Sequence, residues 1–153
     1  MNPKTVYNQI QLLYIAILIG LLIFGVAAYY FVAGTGNLML IDSSTERTVY
    51  SVLILLVFVG VPVSYMFHKK SSSHINPELS IGDKLVKYRK SLFVKLITLE
   101  GLAMFSLIGY IVAGTKTYLY IYVILVVVFL LSYPGKSTVR QELQLDNDEL
   151  NFN

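Results

Sequence analysis

Long apolar stretches alternate with short polar segments along the chain. A helix needs about 20 predominantly apolar residues to cross a hydrocarbon core about 30 Å thick. Four stretches have roughly that length, at residues 10–33, 48–67, 91–114 and 117–133. Because lipid offers no water to hydrogen-bond with the backbone, such segments are expected to be helical. The pattern predicts an all-α integral membrane protein, a four-transmembrane-helix bundle in which residues 1–153 form a single membrane domain.

The composition agrees with this class. Hydrophobic residues make up 56% of the chain and charged residues 14%, with a mean hydropathy of +0.65. Soluble domains carry about 25% charged residues, so an ordinary soluble domain is excluded. The chain has no cysteine, which excludes disulfides, thiolate nucleophiles and cysteine-ligated metals. The first apolar stretch is longer than the 7–15 residues of a signal-peptide core, so we expect it to be retained.

The positive charges predict the orientation. Six of the twelve Lys and Arg residues lie between the second and third apolar stretches, and cytoplasmic loops are enriched in Lys and Arg. Loop 68–90, the tail 134–153 and the N-terminus are therefore expected in the cytoplasm. The basic side chains are expected either to set this topology alone or to contact lipid headgroups or a partner. They are Lys69, Lys70, Lys84, Lys87, Arg89, Lys90 and Lys95.

The two halves of the chain resemble each other. Val32-Ala-Gly-Thr35 equals Val112-Ala-Gly-Thr115, and Gly20–Phe24 resembles Gly101–Phe105. Either chance or a duplication produces this similarity. A duplication predicts two tandem antiparallel helical hairpins, with a glycine near the end of the first helix of each hairpin. Because 115–117 is so short, the third and fourth helices are expected to pair in any case.

Small residues let helix backbones approach closely in membranes. They fall on the first and third helices and predict packing faces, either within this bundle or against a second copy. The residues are Ala16, Gly20, Gly101, Ser106, Gly109 and Ala113.

The segment before the third helix reads as a flexible start followed by a helix. Ser80 and Asp83 form an N-capping pair, and Leu85, Tyr88 and Leu92 follow with helical spacing on one face. We expect this helix to continue unbroken into the third membrane helix. The tail is expected to contain a short amphipathic helix. His68 and His74 are placed in the loop and fit no metal-binding pattern, so no metal site is predicted.

Glu100 is the candidate functional residue. It lies about 10 Å inside the third membrane helix at 1.5 Å per residue, where an ionisable group is costly. We expect its side chain to face the interior, where Gly20 and Gly101 would admit a neighbouring backbone. The candidate polar neighbours are Tyr14, Thr98, Ser132 and Tyr133. Lys95, in contrast, is expected to extend to the membrane interface. Three roles stay open for the carboxyl: structural, contact to another subunit, or proton or cation site.

The second half carries a weak family resemblance. Lys87-Tyr-Arg-Lys-Ser-Leu92, Leu99-Glu-Gly-Leu-Ala-Met-Phe105, Tyr133-Pro134 and Glu142-Leu-Gln-Leu145 resemble small four-helix inner-membrane proteins of Bacteroidetes. The resemblance implies a multi-pass protein of the bacterial inner (cytoplasmic) membrane, with Glu100-Gly101 as its marked position. It implies no activity.

These residues predict a non-enzymatic function. No nucleophile, base and orienting acid can be assembled, and no cofactor or nucleic-acid partner is expected. The leading hypothesis is a small accessory or structural subunit of a membrane complex, in contact with the lipid bilayer and with another membrane protein or a second copy. The alternative is a small proton- or cation-coupled transporter or channel that uses Glu100.

Overall fold

The computed structural model describes residues 2–35 and 41–145, and every regular element in these ranges is a helix. The helices are α1 (Pro3–Thr35), α2 (Ser43–Ser73), α3 (Ile81–Ala113), α4 (Lys116–Leu131) and α5 (Lys136–Leu143). The predicted all-α class is therefore confirmed.

Three of these helices, α1, α2 and α3, are long and apolar enough to cross a membrane. Helix α4 has 16 residues, fewer than the roughly 20 that a straight span needs. It qualifies only together with α5, from which it is bent by 72°. The described part of the chain thus has three helices that could span a membrane, or four if the bent pair counts as one.

The segment between α2 and α3 is more helical than predicted. Helix α2 continues to Ser73, so the expected flexible start is helical and the connection shrinks to residues 74–80. The N-cap at Ser80 is present as predicted: its hydroxyl accepts from the Asp83 N–H at 3.2 Å and donates to the Asp83 carboxylate at 2.6 Å. Helix α3 then runs without a break to Ala113, as expected.

The duplicated Val-Ala-Gly-Thr motif behaves differently in its two copies. Gly114 ends α3 in the left-handed conformation, with φ 68°, and its N–H donates to the Tyr110 carbonyl at 2.8 Å. Gly34 is still helical within α1. The motif therefore works as a C-cap only in the second copy.

Helix α3 is the centre of the bundle. It packs against α1, α2 and α4, and half of its apolar span is buried, against 22% for α1 and 11% for α2. In the described ranges α1 and α2 hardly touch each other. The expected first hairpin is thus not a packed pair, because both helices bury their own stripes on α3. The α3–α4 hairpin is packed as predicted.

Hydrogen bonds identify the two ends of the bundle. Tyr7 donates to the Pro134 carbonyl at 3.4 Å, which joins the start of α1 to the end of α4. His68 and Ser91, 2.9 Å apart, join the end of α2 to the start of α3. We call this the basic end, because the basic residues of segment 69–90 lie there. At the opposite end Thr115 donates to the Glu46 carboxylate at 2.6 Å.

Helix α5 packs against α2 at the basic end. Val139 is fully buried and Leu143 is 8% exposed, so the short helix has the amphipathic character that the sequence indicated.

Much of the remaining surface is apolar. Large side chains such as Leu12, Phe58 and Leu131 are 69–80% exposed. Contiguous apolar surface of this extent is typical of faces that contact lipid or another protein, which is consistent with a membrane protein.

The small residues fall into two groups. Ser106, Gly109 and Ala113 are buried on α3. Ser106 donates to the Tyr118 carbonyl at 2.6 Å, and a Cβ built on Gly109 would lie only 2.5 Å from the Tyr118 ring.

The other three small residues have no such neighbours. Ala16 and Gly101 are exposed, and no atom lies within 4 Å of a Cβ built on Gly20 or Gly101. The expected approach of a neighbouring backbone to Gly20 and Gly101 is therefore absent from the described bundle. Larger side chains of α1, α2, α3 and α4 form its interior instead.

Candidate functional site

A group of buried polar side chains lies at the basic end, where α2, α3 and α5 meet. His68 is 2% exposed, with its Nδ1 2.9 Å from Ser91 Oγ and its Nε2 3.2 Å from Glu142 Oε2. The Tyr88 hydroxyl donates to the same carboxylate oxygen at 2.6 Å. With Lys95, these four residues form what we call the basic-end cluster.

Helical spacing brings the members of this cluster together. Tyr88, Ser91 and Lys95 are three and four residues apart and so share one face of α3. Glu142 precedes the buried Leu143 and so borders the apolar face that docks α5. The docking of α5 therefore places the Glu142 carboxylate beside His68, which lies 74 positions earlier in the chain.

The hydrogen bonds of His68 accommodate both protonation states. Ser91 Oγ lies 3.0 Å from the Tyr88 carbonyl as well as 2.9 Å from the imidazole. With a neutral ring, the serine donates to Nδ1, and Nε2–H donates to Glu142. With a protonated ring, Nδ1–H donates to the serine, whose own proton turns to the Tyr88 carbonyl. Rotation of a single hydroxyl thus lets the ring gain or lose a proton without losing a hydrogen bond.

The carboxyl of Glu142 is held in its charged form. Burial raises its pKa, but hydrogen bonds from His68 and Tyr88, together with the positive charges of His68 and Lys95, outweigh that effect and lower the pKa below its ordinary value. Glu142 is therefore ionised at neutral pH and forms an ion pair with His68 when the ring is protonated.

The sequence predicts that Lys95 extends out to the membrane interface, whereas its side chain is turned into the bundle. It is 5% exposed, and its Nζ lies 4.1 Å from the centre of the Tyr65 ring. The face of an aromatic ring attracts an ammonium group, and the negative charge of Glu142 adds to that attraction. These two interactions replace the water that the side chain would otherwise reach.

A cavity of about 600 Å³ opens beside the cluster. His68, Lys95 and Glu142 contribute to its wall, as does Ser72, whose hydroxyl is buried without a hydrogen-bond partner among the described residues. Leu131, 80% exposed, lies at its apolar edge.

The expected polar site around Glu100 is not assembled. Glu100 is half-buried and forms no hydrogen bond or ion pair with any residue in 2–35 or 41–145. Thr98 donates to the Val94 carbonyl of its own helix at 2.8 Å.

The other expected neighbours of Glu100 bond elsewhere. Tyr14 donates to the Phe129 carbonyl at 3.2 Å, and Ser132 Oγ lies 2.5 Å from the Tyr65 hydroxyl. Tyr133 accepts from Gln11 at 3.2 Å. Carbonyls and hydroxyls between the helices already satisfy these groups, whereas Glu100 is half-buried without a polar partner in the described residues.

An apolar face of α3 adjoins Glu100. Phe93, Ile97, Gly101 and Ile108 recur with helical spacing on this face, and all are exposed. We call these four residues the outer face of α3.

Glu100 borders this outer face on the side of α1. Met104 and Leu107 lie one and two turns after it, and both line a groove of about 280 Å³ against Phe24 and Phe31 of α1. Glu100 is therefore one helical turn before the first α3 residue of an apolar groove.

The basic segment is partly engaged within the protein. Arg89 donates to the Gln9 side chain, and Lys84 is half-buried. The remaining four basic side chains, Lys69, Lys70, Lys87 and Lys90, are exposed.

Little in the sequence indicated the basic-end cluster. The predicted loop position of His68 is wrong, because α2 continues through this residue. In the sequence, Glu142 is one of several acidic residues in the tail. The available signal was the position of Glu142 between Val139 and Leu143, at the border of an apolar stripe. Among the described residues, no group of three or more histidines and carboxylates is arranged to hold a metal ion.

The function has to be inferred from these residues and their arrangement alone. Comparison of the chain with protein-family models, curated proteins and solved structures finds no match.

Proposed function

We propose that the protein is a small non-catalytic accessory subunit of the bacterial inner membrane, which docks through α3 onto a transmembrane helix of another membrane protein. The observation that carries this proposal is the Glu100 carboxyl, which lies beside an apolar face without a polar partner in the described residues.

An unpaired carboxyl at membrane depth is costly. A polar group without a hydrogen-bond partner in an apolar medium costs several kcal/mol, and ionisable residues in spans therefore face a partner or a water-filled cavity. A helix that brings a hydrogen-bond donor or a cation to Glu100 removes this cost. The gain is available only in the complex, so the carboxyl favours association.

The neighbouring surface has room for such a helix. Gly101 and Gly20 present no Cβ and have no atom within 4 Å of the Cβ position. Ala16 is exposed on α1, one turn before Gly20. Small residues of this kind allow close helix approach in lipid, so the face can accept a backbone near the carboxyl.

The partner is a different protein rather than a second copy. A second copy would bring another carboxyl to the same face, and Lys95 of this chain is turned inward over the Tyr65 ring. The complementary charge or donor therefore comes from another polypeptide.

Four spans are part of this proposal. Helix α4 begins near Glu46 at one end of the bundle, where the Tyr118 hydroxyl donates to the Glu46 carbonyl at 3.2 Å. It ends next to Tyr7 at the other end. A helix that runs the whole length of a spanning bundle also crosses the membrane. The positive-inside rule then assigns the basic end and both chain ends to the cytoplasm.

A photo-crosslinking experiment in native membranes tests the docking face. A photoreactive residue at Gly101 is expected to give an adduct with one particular membrane protein, while the same residue at the exposed Ile124 of α4 serves as the control. Glu100→Leu should lower the yield of the Gly101 adduct at least tenfold, since it removes the group to be paired. Glu100→Gln, which still hydrogen-bonds, should retain more of it.

The proposal fails if the Gly101 adduct is insensitive to Glu100→Leu, or if the protein purifies in mild detergent as a monomer without adduct. An adduct of twice the chain mass would replace the foreign partner with a second copy. If Glu100→Gln abolished a proton or cation flux in liposomes, the transporter hypothesis would take the place of the subunit hypothesis.

A further inference from the structure

We propose that the cavity at the basic end binds a phosphate-bearing anion through Lys95 and Ser72. This site is on the other side of α3 from the docking face, and the proposal does not depend on the proposed partner.

The ammonium group of Lys95 lacks hydrogen-bond acceptors. It is 5% exposed and lies over the Tyr65 ring, which attracts the charge but accepts none of its three N–H groups in the usual way. No oxygen of the described residues accepts a hydrogen bond from it. A buried cation needs hydrogen-bond acceptors as well as an opposite charge. We therefore expect the Lys95 ammonium group to bind an anionic oxygen in the cavity.

Ser72 also lacks a hydrogen-bond partner among residues 2–35 and 41–145, independently of Lys95. Its hydroxyl is buried in the cavity wall and has no partner in the described part of the chain. Buried polar atoms are almost always hydrogen-bonded, so a group that occupies the cavity is expected to supply the missing bond.

The charge balance favours an anion. Two basic side chains, Lys69 and Lys95, line the cavity. The one carboxylate in the wall, Glu142, already accepts hydrogen bonds from His68 and Tyr88. A metal cation would need several oxygen ligands, and a single engaged carboxylate does not provide them.

The volume of the cavity fits a lipid headgroup or a similar ligand rather than a single water molecule. Ligand pockets commonly have volumes of about 300–1,000 Å³, and this cavity measures about 600 Å³. Its edge carries Met66 and Leu131, 70% and 80% exposed. The phosphate could belong to an anionic lipid, whose acyl chain would lie along these two residues, or to a free phosphate compound.

Titration of the delipidated full chain in detergent tests the site, with binding followed by native mass spectrometry. The probes are phosphatidylglycerol, zwitterionic phosphatidylcholine and inorganic phosphate. Saturable binding of phosphatidylglycerol, at least tenfold tighter than that of phosphatidylcholine, is expected if a lipid is the source. If a free phosphate compound is the source, inorganic phosphate binds and competes with the lipid.

Two variants and a control make the test specific. Lys95→Met should weaken binding at least tenfold, and Ser72→Ala should weaken it several-fold, because hydrogen bonds to charged groups are the stronger kind. Ser72→Ala removes a hydroxyl without a hydrogen-bond partner among the described residues, so we expect this variant to fold. It therefore tests the site even if Lys95→Met does not fold. Lys70→Met removes an exposed charge that does not line the cavity and should leave binding unchanged.

Two results would overturn the proposal. One is that neither phosphatidylglycerol nor inorganic phosphate binds the folded wild-type chain. The other is that binding falls equally in Ser72→Ala and Lys70→Met, which would reduce it to nonspecific attraction at the basic end.

Discussion

At the scale of single residues, Tyr122 shows how one glycine positions a buried hydroxyl. Its hydroxyl donates to the Leu21 carbonyl of α1 at 2.6 Å, and the ring passes directly over Gly25. A Cβ on Gly25 would lie 2.8 Å from the Tyr122 Cε1 atom and overlap the hydroxyl. Gly25 therefore permits the hydrogen bond between α1 and α4.

We expect Gly25→Ala to destabilise the protein by about 1–3 kcal/mol, because Tyr122 must move and its hydrogen bond is strained or lost. Thermal unfolding in detergent measures the effect. Gly20→Ala is the matched control on the same helix, since its new methyl group meets open space. It should be neutral or slightly stabilising through helix propensity. Equal destabilisation by both variants would contradict this explanation.

At the scale of elements, the end of α3 depends on a backbone conformation that favours glycine. Gly114 has φ 68°, a left-handed conformation that costs residues other than glycine about 1–2 kcal/mol of free energy. The corresponding glycine of the first Val-Ala-Gly-Thr sequence, Gly34, is helical and has open space at its Cβ position.

Gly114→Ala is therefore expected to lower the free energy of unfolding by about 1–2 kcal/mol, whereas Gly34→Ala should not lower it. The same thermal measurement compares the two. If both variants behaved alike, the conformational difference between the two copies would be refuted.

Helix α5 is too short to be stable alone, since isolated helices below about 12–15 residues are marginal in water. Val139 and Leu143 anchor it, and Glu142 adds its contacts with His68 on α2 and Tyr88 on α3, near the charge of Lys95. The docking of α5 is thus partly electrostatic.

This docking should depend on pH. The folded-state pKa of Glu142 lies below its ordinary value of 4.5. Its stabilisation is therefore fully present above about pH 4.5 and is lost as the pH falls through the lowered pKa. Amide hydrogen exchange in 139–143, corrected for the intrinsic rate, should show reduced protection at low pH.

Glu142→Gln should already reduce that protection at pH 6 and remove most of the pH dependence. Gln141→Ala changes an exposed neighbour and is expected to retain both the protection at pH 6 and its pH dependence. Wild-type protection that stayed constant down to pH 3 would show that the apolar anchors alone hold α5.

At the scale of the whole molecule, α3 organises the bundle, and the surrounding helices expose most of their apolar surface. Helix α2 is the least covered of the three long helices, with 11% of its span buried. Such a bundle is stable only where lipid or a partner covers these faces, because water would penalise them.

Cysteine accessibility tests the proposed topology directly, because the chain has no cysteine of its own. In intact cells an impermeant maleimide should label Ser44→Cys and Thr117→Cys. Ser73→Cys and Ser137→Cys should react only after the membrane is made permeable. If Thr117→Cys and Ser137→Cys reacted from the same side, α4 would not cross the membrane.

The features that the sequence predicted are short-range or set by composition. The length of an apolar run decides where a membrane helix lies, and a cap such as Ser80 or Gly114 involves residues only three or four positions apart. The four apolar segments, the Ser80 cap and the continuous α3 could therefore be derived without tertiary information.

Only the tertiary structure decided which helix is central and where the ionisable side chains point. In a soluble helix the apolar stripe marks the buried face, but a membrane helix is apolar all round, so its packed face carries no such signal. The inward turn of Lys95, the lack of a polar partner for the half-buried Glu100 in the described residues and the contact of His68 with Glu142 consequently follow from how the helices pack. Local pattern determined the elements of this protein, and packing between distant segments determined its candidate sites.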